Sequence, residues 1–387
     1  MRVLLAFDKF KGCLSAPQAC DLAVRALRGL HRDWQLDACP LTDGGEGFAE
    51  ILSASVNGQR LRVAATGPRG GLLAATIGLI PPRQVPSSVR PWLDFPDLAL
   101  ESSRPLAVIE MAAASGLALL PPELQDPWQA TTYGTGQLIR AAAESGAIGI
   151  LLGVGGSATN DLGLGALAAL GLEFRDAVGG RIRPPAPVNW HRVESIEGEL
   201  FSSIPPICIA CDVTNPLLGP DGAAAVYGPQ KGLRPGDLPQ MEALMERMAR
   251  MLGGYCRKSP TLAAAPGMGA AGGLPFGLVA GARARLAPGF ELVSAWLDLR
   301  ARIAAEDLVL TGEGCFDATS LSGKGPGAVA TQARALGKMV HVFAGRLAEG
   351  VACDGCQLHA ITPPGLSFAQ AKEEAPWLLA RSIQAAF

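Results

Sequence analysis

The sequence has no excess of basic charge: 33 Lys and Arg stand against 35 Asp and Glu in 387 residues, a formal net charge of −2. The electrostatic footprint of a nucleic-acid binder is therefore missing. Long apolar runs are missing too. Met1-Arg2 leads into VLLAF and at once into DKFKG, too short a stretch for a leader or a membrane span, so a cytoplasmic protein with no membrane partner is expected. G-x-x-x-x-G-K-[ST] occurs nowhere, because SGKG at Ser322–Gly325 lacks both the early glycine and the hydroxyl after the lysine, which excludes a standard P-loop NTPase. H-R-D and D-F-G are absent, which removes the protein kinases. The four histidines form no constellation. Nine cysteines are scattered along the chain, and the C-x-x-C spacings at Cys208/Cys211 and Cys353/Cys356 read as ordinary reduced thiols. The first pair straddles a strand-like run, and the second has only His359 near it.

What is present is apolar and glycine-rich. Apolar residues make up 49% and charged ones 18%, which fits a folded enzyme of two or three domains rather than a disordered chain. Continuous apolar runs at Val3–Phe7, Ala107–Met111, Ile148–Leu152, Ile207–Cys211, Leu308–Thr311 and Val340–Ala344 predict strands buried on both faces, hence an α/β fold with a mainly parallel sheet. Ser15 and Gln18 form a capping-box pattern with Pro17 in the first turn, and Leu22, Ala26 and Leu30 continue an apolar stripe, which predicts a helix directly after DKFKG. Between Leu61 and Ile80 two β-rich runs flank Gly-Pro-Arg-Gly-Gly and predict a hairpin at a change of domain. Pro81–Arg104 and the patch around Pro184 are proline-rich and aperiodic, so both read as loops.

GVGGSATNDLGLG (Gly153–Gly165) follows the apolar run AIGILL. A strand, a bare glycine turn and a helix start present backbone N–H groups to phosphate. The same letters also fit G-x-G-x-x-A through Gly153, Gly155 and Ala158, with Glu173 twenty residues beyond Gly153 as a ribose carboxylate. Both readings stand at this point. Strand-like runs end in Asp8, Asp43, Asp212 and Glu313, and the carboxyl ends of strands are where open α/β sheets bind ligands. Convergent carboxylates suit Mg²⁺ and a hydroxyl nucleophile. Lys9, Lys11 and Lys324 lie in glycine-bearing loops near predicted helix starts, where a point charge can meet phosphate oxygens.

Six ordered blocks carry a resemblance. DKFKGCLSA (Asp8–Ala16), LTDGGEG (Leu41–Gly47), GVGGSATNDLGLG (Gly153–Gly165), CDVTNPLLGPDGAAAVYGPQKG (Cys211–Gly232), GAAGGL (Gly269–Leu274) and LTGEGCFDATSLSGKGP (Leu310–Pro326) together resemble the bacterial glycerate kinase family of glyoxylate and galactarate breakdown, over essentially the whole chain. Cys13 stands where that family usually has Ser, and Cys315-Phe316 where Arg and an aliphatic residue are common. The resemblance implies two α/β domains with an interdomain cleft, one of them Rossmann-like or flavodoxin-like. Residues 1–60 with 295–387 would form that domain, and 61–294 the second.

It also implies ATP-dependent phosphorylation of D-glycerate to 2-phosphoglycerate in organic-acid breakdown, by a monomer or homodimer. On this reading Gly155, Gly156, Ser157, Thr159 and Asn160, with Gly312, Glu313 and Gly314, bind the nucleotide. Lys11 and Lys324 neutralise the transferring oxygens, and Asp43, Glu46 or Asp212 holds Mg²⁺. Asp161 is the expected base, with Asp212 second. Asp8, Lys9, Gly44, Gly45 and Arg69 are assigned to the substrate.

Overall fold

The computed structural model describes residues 1–95, 102–318, 320, 321, 323 and 325–387. The chain divides into two units, Met1–Asp43 with Val293–Phe387, and Gly44–Leu292.

The first unit is built on a five-stranded parallel sheet in the order Gln357–Ala360, Met339–Leu347, Leu308–Phe316, Arg2–Phe7, Gln35–Ala38. Numbered within the unit, that is the 2-1-3-4-5 order of flavodoxin-like sheets read from the other edge. Val3, Leu5 and Phe7 pack under the helices Ala16–Leu30 and Phe368–Ala386, and the helix Gly325–Ala335 lies against Leu308–Phe316 and Met339–Leu347. The helix Ala16–Leu30 begins where the sequence says. Ser15 Oγ accepts from Gln18 N at 3.3 Å and Gln18 Oε1 accepts from Ser15 N at 2.9 Å. Of the expected stripe Ala26 is buried and Leu22 packs half-buried against the core, but Leu30 is exposed, and the stripe is completed by Ala19, Cys20, Ala23 and Leu27.

The second unit carries a six-stranded sheet in the order Arg285–Ala287, Ile207–Ala210, Gly149–Gly153, Leu106–Glu110, Leu72–Ile80, Gln59–Thr66. The first four strands are parallel, and the last two form the antiparallel hairpin expected around Gly67–Gly71. The helix Tyr133–Glu144 packs on the face that carries Ala75 and Ile77, and the helix Phe48–Ser55 on the face that carries Gly78. That second contact moves the first joint to 43/44 rather than 60/61, because Phe48–Ser55 packs on Leu72–Ile80 and Leu106–Glu110 of the second sheet. The other joint falls at 292/293. Among the described residues no helix is long and apolar enough to cross a membrane.

Candidate active site

In the first unit the strand Arg2–Phe7 stops while its neighbour Leu308–Phe316 runs on. Phe7 pairs with Gly312, and beyond it Glu313, Cys315 and Phe316 pair only toward Met339–Leu347. The chain leaves these two central strands in opposite directions along the sheet, so the step between them is the topological switch point, where ligands of such sheets bind. Thr311–Gly314 therefore continue the strand, and Gly312 is buried in it.

Asp8 occupies that step, 8% exposed. Its amide donates to Gly312 O at 2.9 Å and its Oδ1 accepts from Lys9 N at 2.7 Å. Lys9 Nζ reaches Asp43 Oδ1 at 3.1 Å. Glu313 lies partly buried beside them, and its carboxyl is pushed up to about 7 by burial, with the charges of Asp8, Asp317 and Asp43 acting the same way against a hydrogen bond from Ser320. Among the described residues no hydrogen-bond partner reaches its Oε1. Lys11 is exposed on the tight turn closed by Phe10 and Leu14, with its amide close above Gly314. Lys324 lies outside the described residues.

In the second unit the glycine stretch after Gly149–Gly153 packs against Gly44 and Gly45. A β-carbon on Gly155 would lie 2.7 Å from Gly45 Cα, one on Gly44 3.3 Å from Ala210 O, and Gly155 N donates to Gly44 O at 3.0 Å. The glycines let the DGG turn lie backbone to backbone on the carboxyl ends of Gly149–Gly153 and Ile207–Ala210. No helix follows the turn directly. Helix starts only at Leu164 and is six residues long. Before it, Ala158 N donates to Ser115 O and Leu162 N to Gly272 O.

Thr159 and Asn160 therefore do not line an open surface, contrary to expectation. Both are fully buried, with Thr159 Oγ1 donating to Ala271 O and Asn160 Nδ2 directed at Met245 Sδ. Ser157 is nearly buried, and Gly156 alone of the five stands exposed, with the Glu46 carboxylate against it.

Asp161 is corrected in the same way. It has no exposed surface, and its Oδ2 accepts from Thr132 N at 2.7 Å, Thr132 Oγ1 at 2.9 Å and Gly165 N at 3.2 Å, while Oδ1 accepts from Gly163 N at 3.2 Å. Burial pushes its carboxyl up and those donors pull it back. A group so enclosed reaches no substrate hydroxyl here; it ties the Thr131–Thr132 segment to the turn before Leu164.

Asp212 sits half-buried at the carboxyl end of Ile207–Ala210, its Oδ1 accepting from Gly289 N at 2.7 Å and Phe290 N at 3.0 Å at the start of the helix Gly289–Trp296. Arg69, in the hairpin loop, donates to Leu124 O at 2.8 Å and Gln129 Oε1 at 2.7 Å. Among the described residues no three His, Cys, Asp or Glu side chains are grouped to hold a metal ion.

Glu173 removes the dinucleotide reading. It belongs to a separate two-stranded sheet, not to a strand beside Gly149–Gly153, and it is ion-paired to Arg175 and Arg181.

Three residues escaped the sequence. Lys231 is 1% exposed, donates from Nζ to Thr159 O at 2.7 Å, and is held down to about 7 by burial against the pull of Asp161. Its only sequence signal is membership of the GPQKG block. Glu110 accepts from Ala49 N at 3.0 Å and so caps a helix whose own cap residue, Gly47, has no side chain. Arg346 lies opposite Cys315 in register, with Nη2 4.0 Å from Cys315 Sγ, which sets a guanidinium beside the position where the family resemblance leads one to expect an arginine.

Residues 3–386 match the profile described as the glycerate kinase family. The chain is 36% identical over 355 residues to the glycerate 2-kinase of Escherichia coli, covering 91% of this chain and 87% of that one. It is 35% identical over 355 residues to the glycerate kinase of Bacillus subtilis, covering 90% and 86%. The crystal structure of a protein titled putative glycerate kinase 2 from Salmonella typhimurium superposes with a TM-score of 0.72 at 32% identity, over 100% of this chain and 97% of that one. With the switch-point carboxylates and the glycine turn in place, these likenesses make the chain a member of the glycerate kinase family.

Proposed function

We propose that this protein transfers the γ-phosphoryl group of ATP to the 2-hydroxyl of D-glycerate, as a cytoplasmic step of organic-acid breakdown. The observation that carries the reading is Glu313 at the switch point of the first unit. A carboxyl raised to about 7 beside Asp8 is matched to taking a hydroxyl proton near neutral pH. Family membership supports glycerate as the substrate class, and the name of the relative called glycerate 2-kinase favours the 2-hydroxyl.

Phosphoryl transfer needs positioning and charge neutralisation more than covalent help from the protein. Lys9, Lys11 and Arg346 are the cations for phosphate and carboxylate oxygens, and Asp8 orients Lys9 through its backbone N–H. Glu313 accepts the hydroxyl proton as the hydroxyl oxygen bonds to phosphorus and ADP leaves. Asp161 and Lys231 act at one remove, by fixing the segment between Gly156 and Leu164.

Asp8, Asp43 and Asp317 lie near enough to raise the charge cost of Glu313, and Asp8 and Asp43 are the oxygen donors there of the kind Mg²⁺ takes, one or two at a time rather than as a cluster of three. Mg²⁺ usually binds through one or two carboxylates plus substrate phosphates, so a complete protein cage is not required. When bound, it would spread the charge of the transferring group.

The test is a coupled ADP-release assay with ATP, Mg²⁺ and D-glycerate, with L-glycerate and no acceptor as controls, followed by NMR of the product. D-glycerate-dependent ADP with phosphorus coupled to the C2 proton is expected. Phosphate on the 3-hydroxyl overturns the regiochemistry, and no turnover by folded protein overturns the reading.

A further inference from the structure

Cys353-Asp354-Gly355-Cys356 closes a tight turn just before the edge strand Gln357–Ala360. Cys356 N donates to Cys353 O at 3.0 Å, and Gly355 takes φ +70° at the third position, as a type II turn requires. Such a turn keeps its outer Cα atoms within about 7 Å, and a disulfide spans roughly 4.4–6.8 Å. The two sulfurs lie 2.8 Å apart, and both side chains are half-buried.

Packing holds this geometry. A β-carbon at Gly355 would run into the guanidinium of Arg334, at the end of the helix Gly325–Ala335. The other C-x-x-C pair shows that spacing alone does not produce it. Cys208 Sγ is directed at Trp92 O at 3.7 Å and Cys211 Sγ at Val213 O at 3.5 Å.

We propose that Cys353 and Cys356 are a redox modification site, a dithiol that converts reversibly to an intramolecular disulfide by exchange with a low-molecular-weight disulfide. The Cys353 thiolate attacks one sulfur of the external disulfide, a mixed disulfide forms, and the first small thiolate leaves. Cys356, whose thiol is pushed up to about 12 by burial and by Cys353 beside it, keeps its proton through that step. It then loses the proton to solvent, and its sulfur attacks Cys353 Sγ and expels the second small thiolate. The protein dithiol is oxidised by two electrons, and the external disulfide is reduced to two thiols.

The whole protein is equilibrated in buffers of graded reduced-to-oxidised glutathione ratio, quenched with acid, denatured and alkylated. The peptide that carries both cysteines is then weighed. Cys353 and Cys356 should lose alkylation together in a single transition, giving a peptide two hydrogens lighter than the dithiol. Cys353→Ser should abolish that species. Gly355→Ala, which strains the turn, should move the transition at least tenfold toward the oxidised side.

Two thiols that stay alkylatable at every ratio, or that end as two separate glutathione adducts, overturn the proposal. Stoichiometric Zn²⁺ uptake that shields both thiols and prevents their oxidation also overturns it, in favour of a metal site. The phosphoryl-transfer assay is not needed for any of these outcomes.

Discussion

Gly155 and Gly45 stand backbone to backbone, so close that a β-carbon on Gly155 would be 2.7 Å from Gly45 Cα. The bareness of the glycine stretch therefore serves first to seat the DGG turn, and any ligand at Gly156 meets a surface built from both segments.

Gly155→Ala should displace that turn. The overpacking cost is on the order of 1–3 kcal/mol. Turnover should fall at least tenfold while circular dichroism stays that of the wild type, and steady-state kinetics on the folded variant checks this. Unchanged kinetics would show that the turn has no part in the reaction.

Asp161 separates anchoring from catalysis. Asp161→Ala strands the amides of Thr132, Gly163 and Gly165 and should cost roughly 3 kcal/mol or more. Asp161→Asn keeps an acceptor oxygen and should be milder, with turnover lost only in step with folded protein. Denaturant unfolding run beside the assay decides it. A fully stable Asp161→Asn protein slowed about 10²–10⁴-fold would restore Asp161 as the base.

Glu313 carries a pH signature. Its folded carboxyl is raised from 4.5 to about 7, so the native state holds a proton that the unfolded chain has released across that window. The stability from this group is fully present below about 4.5 and is lost as pH rises through about 7. Glu313→Gln, neutral throughout, should remove that slope from urea midpoints measured between pH 4.5 and 7. It should also depress turnover near neutrality.

Arg346→Met should raise KM for ATP about tenfold, equivalent to roughly 1.4 kcal/mol, with kcat little changed. Because Cys315 and Arg346 are partners in register, Cys315→Arg should restore much of the loss in the double variant. An unaltered KM would remove Arg346 from the nucleotide site.

Local signals were legible where local physics governs. The capping box at Ser15/Gln18, the hairpin around Gly67–Gly71 and the buried strand runs all follow from hydrogen-bond satisfaction and side-chain period within a few residues. The six motif blocks identified the family because they reach across the whole chain. What failed was accessibility. GGSATND looks like a bare loop in one dimension, yet Thr159, Asn160 and Asp161 are covered by residues far along the chain, among them Lys231 and Ala271.

The sequence by itself determined the buried central strands, the hairpin around Gly67–Gly71, the helix start at Ser15 and the family, while the short edge strands Gln35–Ala38, Arg285–Ala287 and Gln357–Ala360 carry no such apolar run. Only tertiary structure decided which acids stay open and which become anchors, because a carboxylate's role depends on the donors that surround it. Strand order decided that Asp8 and Glu313 meet, and a tight turn before an edge strand brought together one C-x-x-C pair but not the other. Distance and burial are set by long-range packing, which residue spacing does not encode.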